Sequence, residues 1–455
     1  MSNQVCVIGG GLAGLSAAVE LVDGGASVTL LEARPRFGGA TFSFSRDGLT
    51  VDNGQHVFMR CCTAYRDFLR RIGTADGVRV QDRLSVPILT PGGELRRLER
   101  SDLPAPLHLA GSVASYPLLT SMQKLQAARA LAALRRLDPA NPALDAESFG
   151  GWLRRHGQSS AAIEALWALI SVPTLNVKPD DCSLGLAVMV FRTGLLDRND
   201  AADLAIPTLP LSALHVDPAV AALESAGAVV RRSCKVLAVQ RDRAEGRLTV
   251  CTRDGIVPAD AVVVAVPQDV VGGLLPEGTL TTRVDRLGFS PIVNLHVHYD
   301  RPVTSLPFAT AHGSPVGWVF DRTATASHGG EPVSGQYLTV SLSAADQELG
   351  EPVSQLRDRF LPALADLFPA ARRATVQRFF VTREPHATFR ASPGSGSLRV
   401  GEQTNTTGVF IAGSWTDTGW PATMEGAVRS GVRAARRALA TLDATRTTTP
   451  EGVPL

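Results

Sequence analysis

The chain has 455 residues, of which 44% are hydrophobic and 19% are charged. This length is too great for one ordinary domain, and these proportions exclude intrinsic disorder over most of the chain. The formal net charge of +2 creates no strong electrostatic field, which argues against nucleic-acid binding. The composition therefore indicates a globular protein of about two domains.

The six cysteines form no C-x-x-C pair, and no Cys/His cluster has zinc spacing. We therefore expect reduced thiols, no metal site and a cytoplasmic location. The adjacent Cys61 and Cys62 could form a redox pair, but packing is the better interpretation. No basic secretory leader precedes the first predicted strand, and no segment has the composition of a membrane-spanning helix.

A glycine-rich segment follows a short apolar run at residues 5–8, which predicts a buried strand of a parallel sheet. Its G-x-G-x-x-G glycines permit a tight turn, let the backbone approach a pyrophosphate and let the next helix pack on the sheet. The helix N-terminus offers free N–H groups and a partial positive charge to phosphates. The residues of this predicted dinucleotide-binding loop are Gly9, Gly11, Leu12, Ala13 and Gly14.

A second apolar run at residues 28–31 predicts the next strand, and Glu32 stands at its end. A carboxylate in this position can accept two hydrogen bonds from a ribose diol and would repel a 2′-phosphate. Strand, glycines, helix, strand and terminal acid therefore agree on a dinucleotide site that includes Glu32 and its neighbour Ala33.

The segment from Arg34 to Ala40 follows directly and reads Arg-Pro-Arg-Phe-Gly-Gly-Ala. It resembles the R-x-G-G segment of FAD proteins of the amine oxidase and phytoene desaturase superfamily. The resemblance implies that Gly38 and Gly39 let the chain cross beside the flavin and the pyrophosphate, and that Arg36 neutralises phosphate. FAD is therefore the predicted cofactor.

Residues 408–413 predict another buried strand, and an apolar face with helical spacing begins near residue 424. The connecting segment resembles the second FAD signature of the same superfamily. The resemblance implies that Gly413 and Ser414 meet the ribityl chain. It also implies that the helix N-terminus at Thr423 and Met424 directs N–H groups to the flavin edge that is negative in the reduced state.

Four further strands are predicted between residues 228 and 267, and in the superfamily the position of Val236 lies over the adenine. We therefore expect an α/β fold with a Rossmann-like, glutathione-reductase-type FAD-binding domain, discontinuous in sequence, and an inserted α+β substrate domain. The expected FAD-binding domain comprises residues 1–85, 211–289 and 396–444. The expected substrate domain comprises residues 86–210 and 290–395, and residues 445–455 form a loose tail.

Two segments narrow the resemblance to one family. They are Asp52-Asn53-Gly54-Gln55-His56 and Trp415-Thr416-Asp417-Thr418-Gly419, and they resemble the squalene-associated FAD-dependent desaturases, the bacterial hydroxysqualene dehydroxylases of squalene and hopanoid synthesis. The family usually has an Asp where this chain has Ser414. A hydroxyl still accepts a bond there, but a charge-assisted bond is roughly twice as strong, so FAD affinity or potential is expected to differ.

The rival functions are amine oxidation and carotenoid-type desaturation. Amine oxidases usually have a Lys where Asn294 stands, and an aromatic residue where Thr423 stands, so an amine substrate is disfavoured. A polyprenyl desaturase shares FAD and a long substrate and stays the closer alternative. A degenerate flavin protein that only binds or assembles would keep the glycines and lose the chemistry.

The family reaction replaces the hydroxyl of hydroxysqualene with hydrogen. Protonation of the oxygen releases water and leaves an allylic cation, to which reduced flavin N5 delivers hydride. The resemblance therefore implies an acid near the hydroxyl, for which Gln55 and His56 are the candidates, and His56 is the better acid by its pKa. His56 could instead only bind FAD or backbone. No second G-x-G-x-x-G motif identifies a nicotinamide, so the electron donor is left open.

A long isoprenoid substrate dissolves in the bilayer. We therefore expect the protein to have a substrate tunnel that opens at a membrane-facing surface, with the protein on the cytoplasmic face of the membrane. The stretch from Leu103 to Gln123 carries no formal charge, and its prolines exclude a spanning helix. Either it makes shallow membrane contact or it is buried in the substrate domain. Its apolar residues include Leu107, Leu109, Val113, Tyr116, Leu118, Leu119 and Met122, and Lys124, Arg129, Arg135 and Arg136 follow.

Overall fold

The structure is a computed structural model that describes residues 3–242 and 247–448. Its strands are β1 (Gln4–Ile8), β2 (Ser27–Leu31), β3 (Ser43–Arg46), β4 (Leu49–Asp52), β5 (Phe58–Met59), β6 (Val78–Val80), β7 (Ser85–Thr90), β8 (Glu94–Glu99), β9 (Leu204–Pro207), β10 (Val229–Arg231), β11 (Val236–Arg241), β12 (Leu248–Thr252), β13 (Gly255–Ala259), β14 (Ala261–Val264), β15 (Ser290–Tyr299), β16 (Phe308–Ala311), β17 (Trp318–Asp321), β18 (Gln336–Ser343), β19 (Val376–Thr388) and β20 (Val409–Ile411).

The α-helices are α1 (Leu12–Asp23), α2 (Thr63–Arg71), α3 (Ala110–Ser115), α4 (Ser121–Arg135), α5 (Phe149–Arg155), α6 (Ser160–Ala162), α7 (Ala168–Leu175), α8 (Leu184–Phe191), α9 (Asp217–Ser225), α10 (Gln268–Leu274), α11 (Thr323–Ala326), α12 (Val353–Leu367) and α13 (Met424–Thr448). Among the residues described, no helix is long and apolar enough to cross a bilayer.

A parallel sheet of order β10-β2-β1-β14-β20 organises the first unit. Its strands come from three separate parts of the chain. The two glycine-containing segments and the strands predicted between residues 228 and 267 indicate these parts. Residues 5–8 of β1 and all four residues of β14 are apolar and buried, because helices cover the sheet on its faces. The sheet therefore brings the first and last hundred residues of the chain to one carboxyl edge.

Helices α1 and α13 pack against each other and against this sheet. Leu15 and Leu21 of α1 are fully buried, and Val428 and Ala435 of α13 join the same core. Gly431 permits the close approach, because a Cβ there would lie 2.1 Å from the carbonyl oxygen of Ala13. The predicted apolar face of the C-terminal helix is therefore the contact that joins both ends of the chain.

A small antiparallel sheet of order β11-β12-β13 stands beside the parallel sheet. The sequence predicts β11 and β12 but not β13, because Gly255, Ile256 and Pro258 of that strand are exposed and give no apolar alternation. This short strand forms through its pairing with β12 rather than through burial of its side chains.

The second unit contains a seven-stranded sheet of order β19-β15-β18-β17-β16-β7-β8. Strand β15, which lies between β19 and β18, is buried along almost its whole length, and α12 covers one face of the sheet through Leu356, Phe360 and Leu364. Helices α3–α8 come from the intervening residues 110–191. Strand β9, which the predicted boundaries assign to the substrate domain, pairs with β5 and β6 from the predicted FAD-binding part.

The predicted loose tail begins at residue 445, whereas α13 continues to Thr448. Residues 445–448 are therefore helical. The rest of the predicted tail, residues 449–455, lies outside the described residues.

Candidate functional site

At two of the three motif positions in the loop between β1 and α1, glycine is the only residue that fits. Gly9 has a φ of +104°, and a Cβ at Gly14 would lie 1.8 Å from the carbonyl oxygen of Gly9. At Gly11 an added Cβ would meet only the Cα of Gly39, at 3.6 Å. The space above Gly11 is therefore open, as a backbone that cradles a pyrophosphate requires.

The N-terminus of α1 has no side-chain cap, because its N-cap residue is Gly11. In the described part of the chain, no acceptor binds the N–H groups of Leu12, Ala13 or Gly14. Leu12 and Ala13 are nevertheless buried. Buried N–H groups without partners are costly, and an anionic phosphate is the ligand that fits them.

The carboxylate of Glu32 is fixed at the end of β2 by two backbone donors. Its Oε2 accepts the N–H of Gly10 at 2.7 Å, and its Oε1 accepts the N–H of Arg34 at 2.7 Å. Each carboxylate oxygen can accept more than one bond, so both can still bind a ribose hydroxyl. The exposed Ala33 follows, and its small side chain leaves that approach open.

The Gly38–Gly39 segment crosses the glycine-rich loop between β1 and α1. The N–H of Gly38 donates to the carbonyl oxygen of Gly10 at 2.8 Å. A Cβ on Gly39 would lie 2.9 Å from the Cα of Gly11. Arg36 stacks over the ring of Phe42, with 3.2 Å between its guanidinium carbon and the ring centroid. Its Nη1 also donates to the carbonyl oxygen of Gly39 at 3.4 Å, so the guanidinium is held beside the crossing segment.

Ala40 and Val236 are placed by backbone contacts. The carbonyl oxygen of Ala40 accepts the side-chain amide of Asn53 at 2.9 Å. The N–H of Cys234 donates to the carbonyl oxygen of Glu32 at 2.9 Å. The chain that enters β11 at the buried Val236 is therefore adjacent to the strand end that carries Glu32.

The C-terminal segment ends at the same sheet edge. Gly413 follows β20 with a φ of +150°, and the half-buried hydroxyl of Ser414 has no hydrogen-bond partner within the described ranges. Thr423 caps α13 because its Oγ1 accepts the N–H of Gly426 at 3.2 Å. The N–H of Met424, in the first turn, has no acceptor among the residues described, so this helix end can bind a negative edge of a ligand.

The two candidate catalytic residues, Gln55 and His56, are half-buried. His56 Nδ1 lies 3.1 Å from the carbonyl oxygen of Gly54, and burial lowers the pKa of the imidazole. The neutral ring therefore carries its proton on Nδ1, and Nε2 is the atom left to face a ligand. The lowered pKa weakens the expectation that His56 is a ready acid at neutral pH.

Asp52 is a structural anchor. Its Oδ2 accepts from Arg322 at 2.8 Å, and both side chains are buried. Its Oδ1 accepts the hydroxyl of Ser43 and the N–H of Leu211. The buried Asp52 carboxylate has a charged partner and two further donors, so Asp52 holds the segment before Gln55 and His56 in place.

A chain of hydrogen bonds supports the same segment from the seven-stranded sheet. The carbonyl oxygen of Asn53 accepts from Asn294 Nδ2 at 3.1 Å and from the hydroxyl of Thr382 at 3.2 Å. Thr382 must then accept from His296 Nε2 at 3.0 Å, which leaves Nδ1 to accept the hydroxyl of Tyr337 at 2.6 Å. Asn294, at the position of the amine oxidase Lys, therefore has a structural contact.

Sequence reasoning did not identify several residues that shape this region. Glu425 is buried, and its carboxylate accepts the N–H groups of Ala64 and Tyr65 at the start of α2. Arg399 is buried beneath residues 415–420. The Glu425 contacts join residues 361 and 360 positions apart, which no local motif indicates, whereas the Arg399 contacts lie within 21 positions but follow no recognised motif.

Two further polar residues, His298 and Asp417, already have hydrogen-bond partners within the protein. His298 is buried and its Nε2 donates to the carbonyl oxygen of Ser334. The exposed Asp417 accepts the N–H of Gly419 at 3.3 Å, which stabilises a turn. Cys61 and Cys62 are free thiols at the start of α2.

These features form one site at the carboxyl edge of the parallel sheet. It is assembled from both ends of the chain, and it offers unpartnered N–H groups at two helix N-termini and a fixed carboxylate. The residues present fit a dinucleotide that ends in a ring with a negative edge. The fold and the site define an FAD-dependent oxidoreductase.

The chain belongs to the family described as flavin containing amine oxidoreductase, whose sequence profile matches residues 12–439. It is 32% identical to a hydroxysqualene dehydroxylase of Rhodopseudomonas palustris over 97% of this chain and 99% of that protein. It is 31% identical to a hydroxysqualene dehydroxylase of Sinorhizobium fredii over 96% of this chain and 99% of that protein. The resemblance that the two sequence segments indicated is confirmed.

A more distant relative is a 15-cis-phytoene desaturase of Solanum lycopersicum, 24% identical over 94% of this chain and 76% of that protein. A solved structure of putrescine oxidase bound to putrescine has a TM-score of 0.73 and 19% identity. It covers 97% of this chain and 99% of that chain. At this identity the likeness shows the fold alone, and it confirms the expected α/β fold with an FAD-binding and a substrate domain.

Proposed function

We propose that this chain removes the hydroxyl of hydroxysqualene reductively to give squalene. The observation that carries the proposal is the 31–32% identity to two hydroxysqualene dehydroxylases over nearly the full length of each chain. When bound and reduced, FAD supplies the hydride that replaces the hydroxyl. We keep the predicted FAD contacts, and the predicted domain division, as parts of this proposal.

The hydroxyl needs a proton because hydroxide is a poor leaving group. We assign this proton to Nε2 of His56, because Nδ1 already donates to the carbonyl of Gly54. Protonation of the substrate oxygen breaks the C–O bond and releases water. The allylic cation then accepts a hydride, so one proton and one hydride are consumed for each water and each squalene formed.

Gln55 is assigned to substrate orientation. Its side chain is half-buried next to His56, and a neutral amide both donates and accepts hydrogen bonds. It can therefore hold a hydroxyl without competing for its proton. The buried pair of Asp52 and Arg322 and the two donors to the Asn53 carbonyl support both residues from behind.

The substrate is a long hydrocarbon, so we propose that the chain meets the membrane from the cytoplasmic side. Exposed apolar side chains in the expected stretch support this: Leu103, Leu107 and Met122 are 52%, 55% and 62% exposed. The expectation needs one correction, because Leu109, Tyr116 and Leu119 of the same stretch are buried. The contact surface is therefore narrower than the sequence indicates.

Desaturation of a polyprenyl chain is the second candidate function, because the phytoene desaturases align with 94% of this chain. It differs in direction, since oxidised FAD would accept hydride from the substrate. Both functions use an isoprenoid and the same site, so only the chemistry separates them.

The deciding experiment mixes the purified protein, reduced without oxygen, with hydroxysqualene. Reoxidation of the flavin with equimolar squalene, identified by mass spectrometry, is the expected result. Oxidised protein is mixed with phytoene in parallel. Reduction of the flavin with formation of a longer conjugated polyene, and no squalene in the first reaction, would establish the desaturase instead.

A further inference from the structure

Arg399 lies just before the last strand of the parallel sheet, and its side chain is buried under the loop at residues 414–423. Its Nε donates to the carbonyl oxygen of Trp415 at 3.2 Å. Its Nη2 donates to the carbonyl oxygens of Thr416 at 2.5 Å and Trp420 at 2.6 Å. One guanidinium therefore ties together three carbonyls of the segment that joins β20 to α13.

The charge of Arg399 has no direct counterion. Within residues 3–242 and 247–448, no carboxylate oxygen lies within 4.0 Å of its guanidinium nitrogens, whose hydrogen bonds go to carbonyl oxygens. The guanidinium carbon also lies 4.9 Å from the centroid of the Phe389 ring. Burial lowers the pKa of Arg399 to about 10, while the more distant Asp417 and Asp145 act in the opposite direction. The group is therefore charged at neutral pH.

Buried charges in proteins are normally paired with an opposite charge, because carbonyl dipoles replace only part of the lost hydration. A charged guanidinium that contacts carbonyls and an aromatic face thus points to an anion supplied from outside the chain. The loop above it begins at Ser414 and ends at Thr423, two of the predicted flavin contacts. At the far end, α13 adds its own N-terminal partial positive charge.

We propose that Arg399 positions this loop and that its uncompensated positive charge stabilises the reduced, anionic form of the bound flavin. The proposal rests on the flavin placement proposed above. Oxidised flavin is neutral, whereas reduced flavin carries a negative charge after loss of its N1 proton. A fixed positive charge in a low-dielectric interior therefore binds the reduced form more tightly. This raises the midpoint potential and lets a weaker electron donor reduce the enzyme.

The test compares Arg399→Gln and Arg399→Lys in the FAD-loaded protein, with Arg433→Gln as control. The control arginine also donates to a carbonyl of the loop, that of Asp417 at 3.2 Å, but it is exposed and solvent screens its charge. The readouts are the midpoint potential of the bound flavin and the Kd of oxidised FAD, neither of which requires the substrate.

Arg399→Gln is expected to weaken reduced FAD at least tenfold more than oxidised FAD, which is a fall of about 30 mV for a two-electron couple. The control is expected to keep the wild-type potential, and so is Arg399→Lys at a pH at which its ammonium group is charged. Equal weakening of both redox forms, with an unchanged potential, would show that Arg399 has only a structural role and would overturn the proposal.

If Arg399→Gln does not retain FAD, the Lys variant decides alone. A buried ammonium has a depressed pKa and loses its proton at a pH at which guanidinium stays charged. The potential of the Lys variant should then fall with rising pH more steeply than that of the wild type. Parallel pH dependences in the two proteins would overturn the proposal. A failed turnover assay with hydroxysqualene would leave this result unaffected.

Discussion

His56 Nδ1 lies 3.1 Å from the carbonyl oxygen of Gly54, two residues earlier in the chain. This contact fixes the ring orientation and assigns the neutral proton to Nδ1. Only the protonated ring can donate from Nε2, and burial lowers its pKa below the ordinary value. A general acid at this position is therefore available mainly under mildly acidic conditions.

His56→Ala is expected to retain FAD and to lose roughly 100-fold in the rate of dehydroxylation. In the wild type the rate of dehydroxylation should fall as the pH rises through a midpoint below 6.5. This pH dependence should be absent in the variant. Single-turnover flavin reoxidation against pH measures both effects. The exposed His328 provides the control His328→Ala. Near-normal turnover in His56→Ala would leave Gln55 or a water as the polar group.

Gly11→Val is expected to abolish FAD binding without unfolding the chain. Gly11 has a φ of −79° and a ψ of 179°, which a β-branched residue adopts readily. The added side chain would instead fill the space where a pyrophosphate must lie. Flavin absorbance of the purified variant and its circular dichroism test this. Gly350→Val is a matched control, since no heavy atom lies within 4 Å of a Cβ there. Full FAD occupancy in Gly11→Val contradicts the placement.

Ser414→Asp is expected to tighten FAD binding by about 1 kcal/mol, roughly fivefold in Kd, because a charged acceptor forms a stronger hydrogen bond than a hydroxyl. The half-buried Ser414 hydroxyl has no partner among the described residues, so the new carboxylate breaks no existing contact. Titration of the apoprotein with FAD measures the change, and Ser414→Ala is the paired variant. Equal or weaker binding by Ser414→Asp would refute a ribityl contact at this residue.

Contiguous sequence motifs were sufficient to predict the framework of the fold, and they supplied most of the proposed cofactor contacts. The strand, glycines, helix and Glu32 lie within thirty or so residues, so their spacing alone constrains their geometry. The location of the site at the carboxyl edge of the parallel sheet could also be predicted, because the carboxyl ends of parallel strands meet at that edge. The helical state of residues 445–448 was missed, since Thr has a low helix propensity.

Contacts between distant parts of the chain could not be predicted from contiguous sequence motifs. Asp52 and Arg322 are 270 positions apart, and Asn53 and Thr382 are 329 apart. Each residue alone is an ordinary polar side chain of a strand or turn. Their roles depend on how β4 and the residue after it pack against the second unit, which no local pattern encodes.

Two buried histidines are expected to make folding stability fall in acid. Burial lowers the pKa of His215 and of His296 to about 3, against about 6.5 in the unfolded chain. Their contribution is complete above pH 6.5 and is lost as the pH falls, because the unfolded state binds the protons first. Each histidine should contribute a slope of about 1.4 kcal/mol per pH unit between these values.

Urea unfolding at a series of pH values measures that slope. In the His215→Gln and His296→Gln variants, the unfolding free energy should depend less steeply on pH, because each variant lacks the proton that one histidine takes up on unfolding. The slope of His328→Ala should match that of the wild type. His296→Gln should also lower stability at neutral pH, because the bonds to Tyr337 and Thr382 are disturbed. Identical slopes in all four proteins would contradict the assignment of these histidines as neutral in the folded state.

Membrane contact is expected to depend on the exposed apolar residues of the stretch from Leu103 to Gln123. Leu107 and Met122 are 55% and 62% exposed, so charged substitutions there cost little folding stability. Leu119 is unsuitable for the test because it is 4% exposed and belongs to the core. The Leu107→Glu, Met122→Glu double variant should therefore fold, retain FAD and bind vesicles at least tenfold more weakly, since it loses buried apolar area and adds two negative charges.

The control is the Leu237→Glu, Ile256→Glu double variant, whose side chains are 47% and 67% exposed on β11 and β13. It adds the same charge away from the stretch, so its binding should match the wild type. Flotation with vesicles of phosphatidylcholine and an anionic phospholipid compares the three proteins. If both variants lose binding equally, net charge alone explains the effect. If neither does, the substrate enters from a surface other than this stretch, because its exposed apolar side chains then make no contact with the lipid.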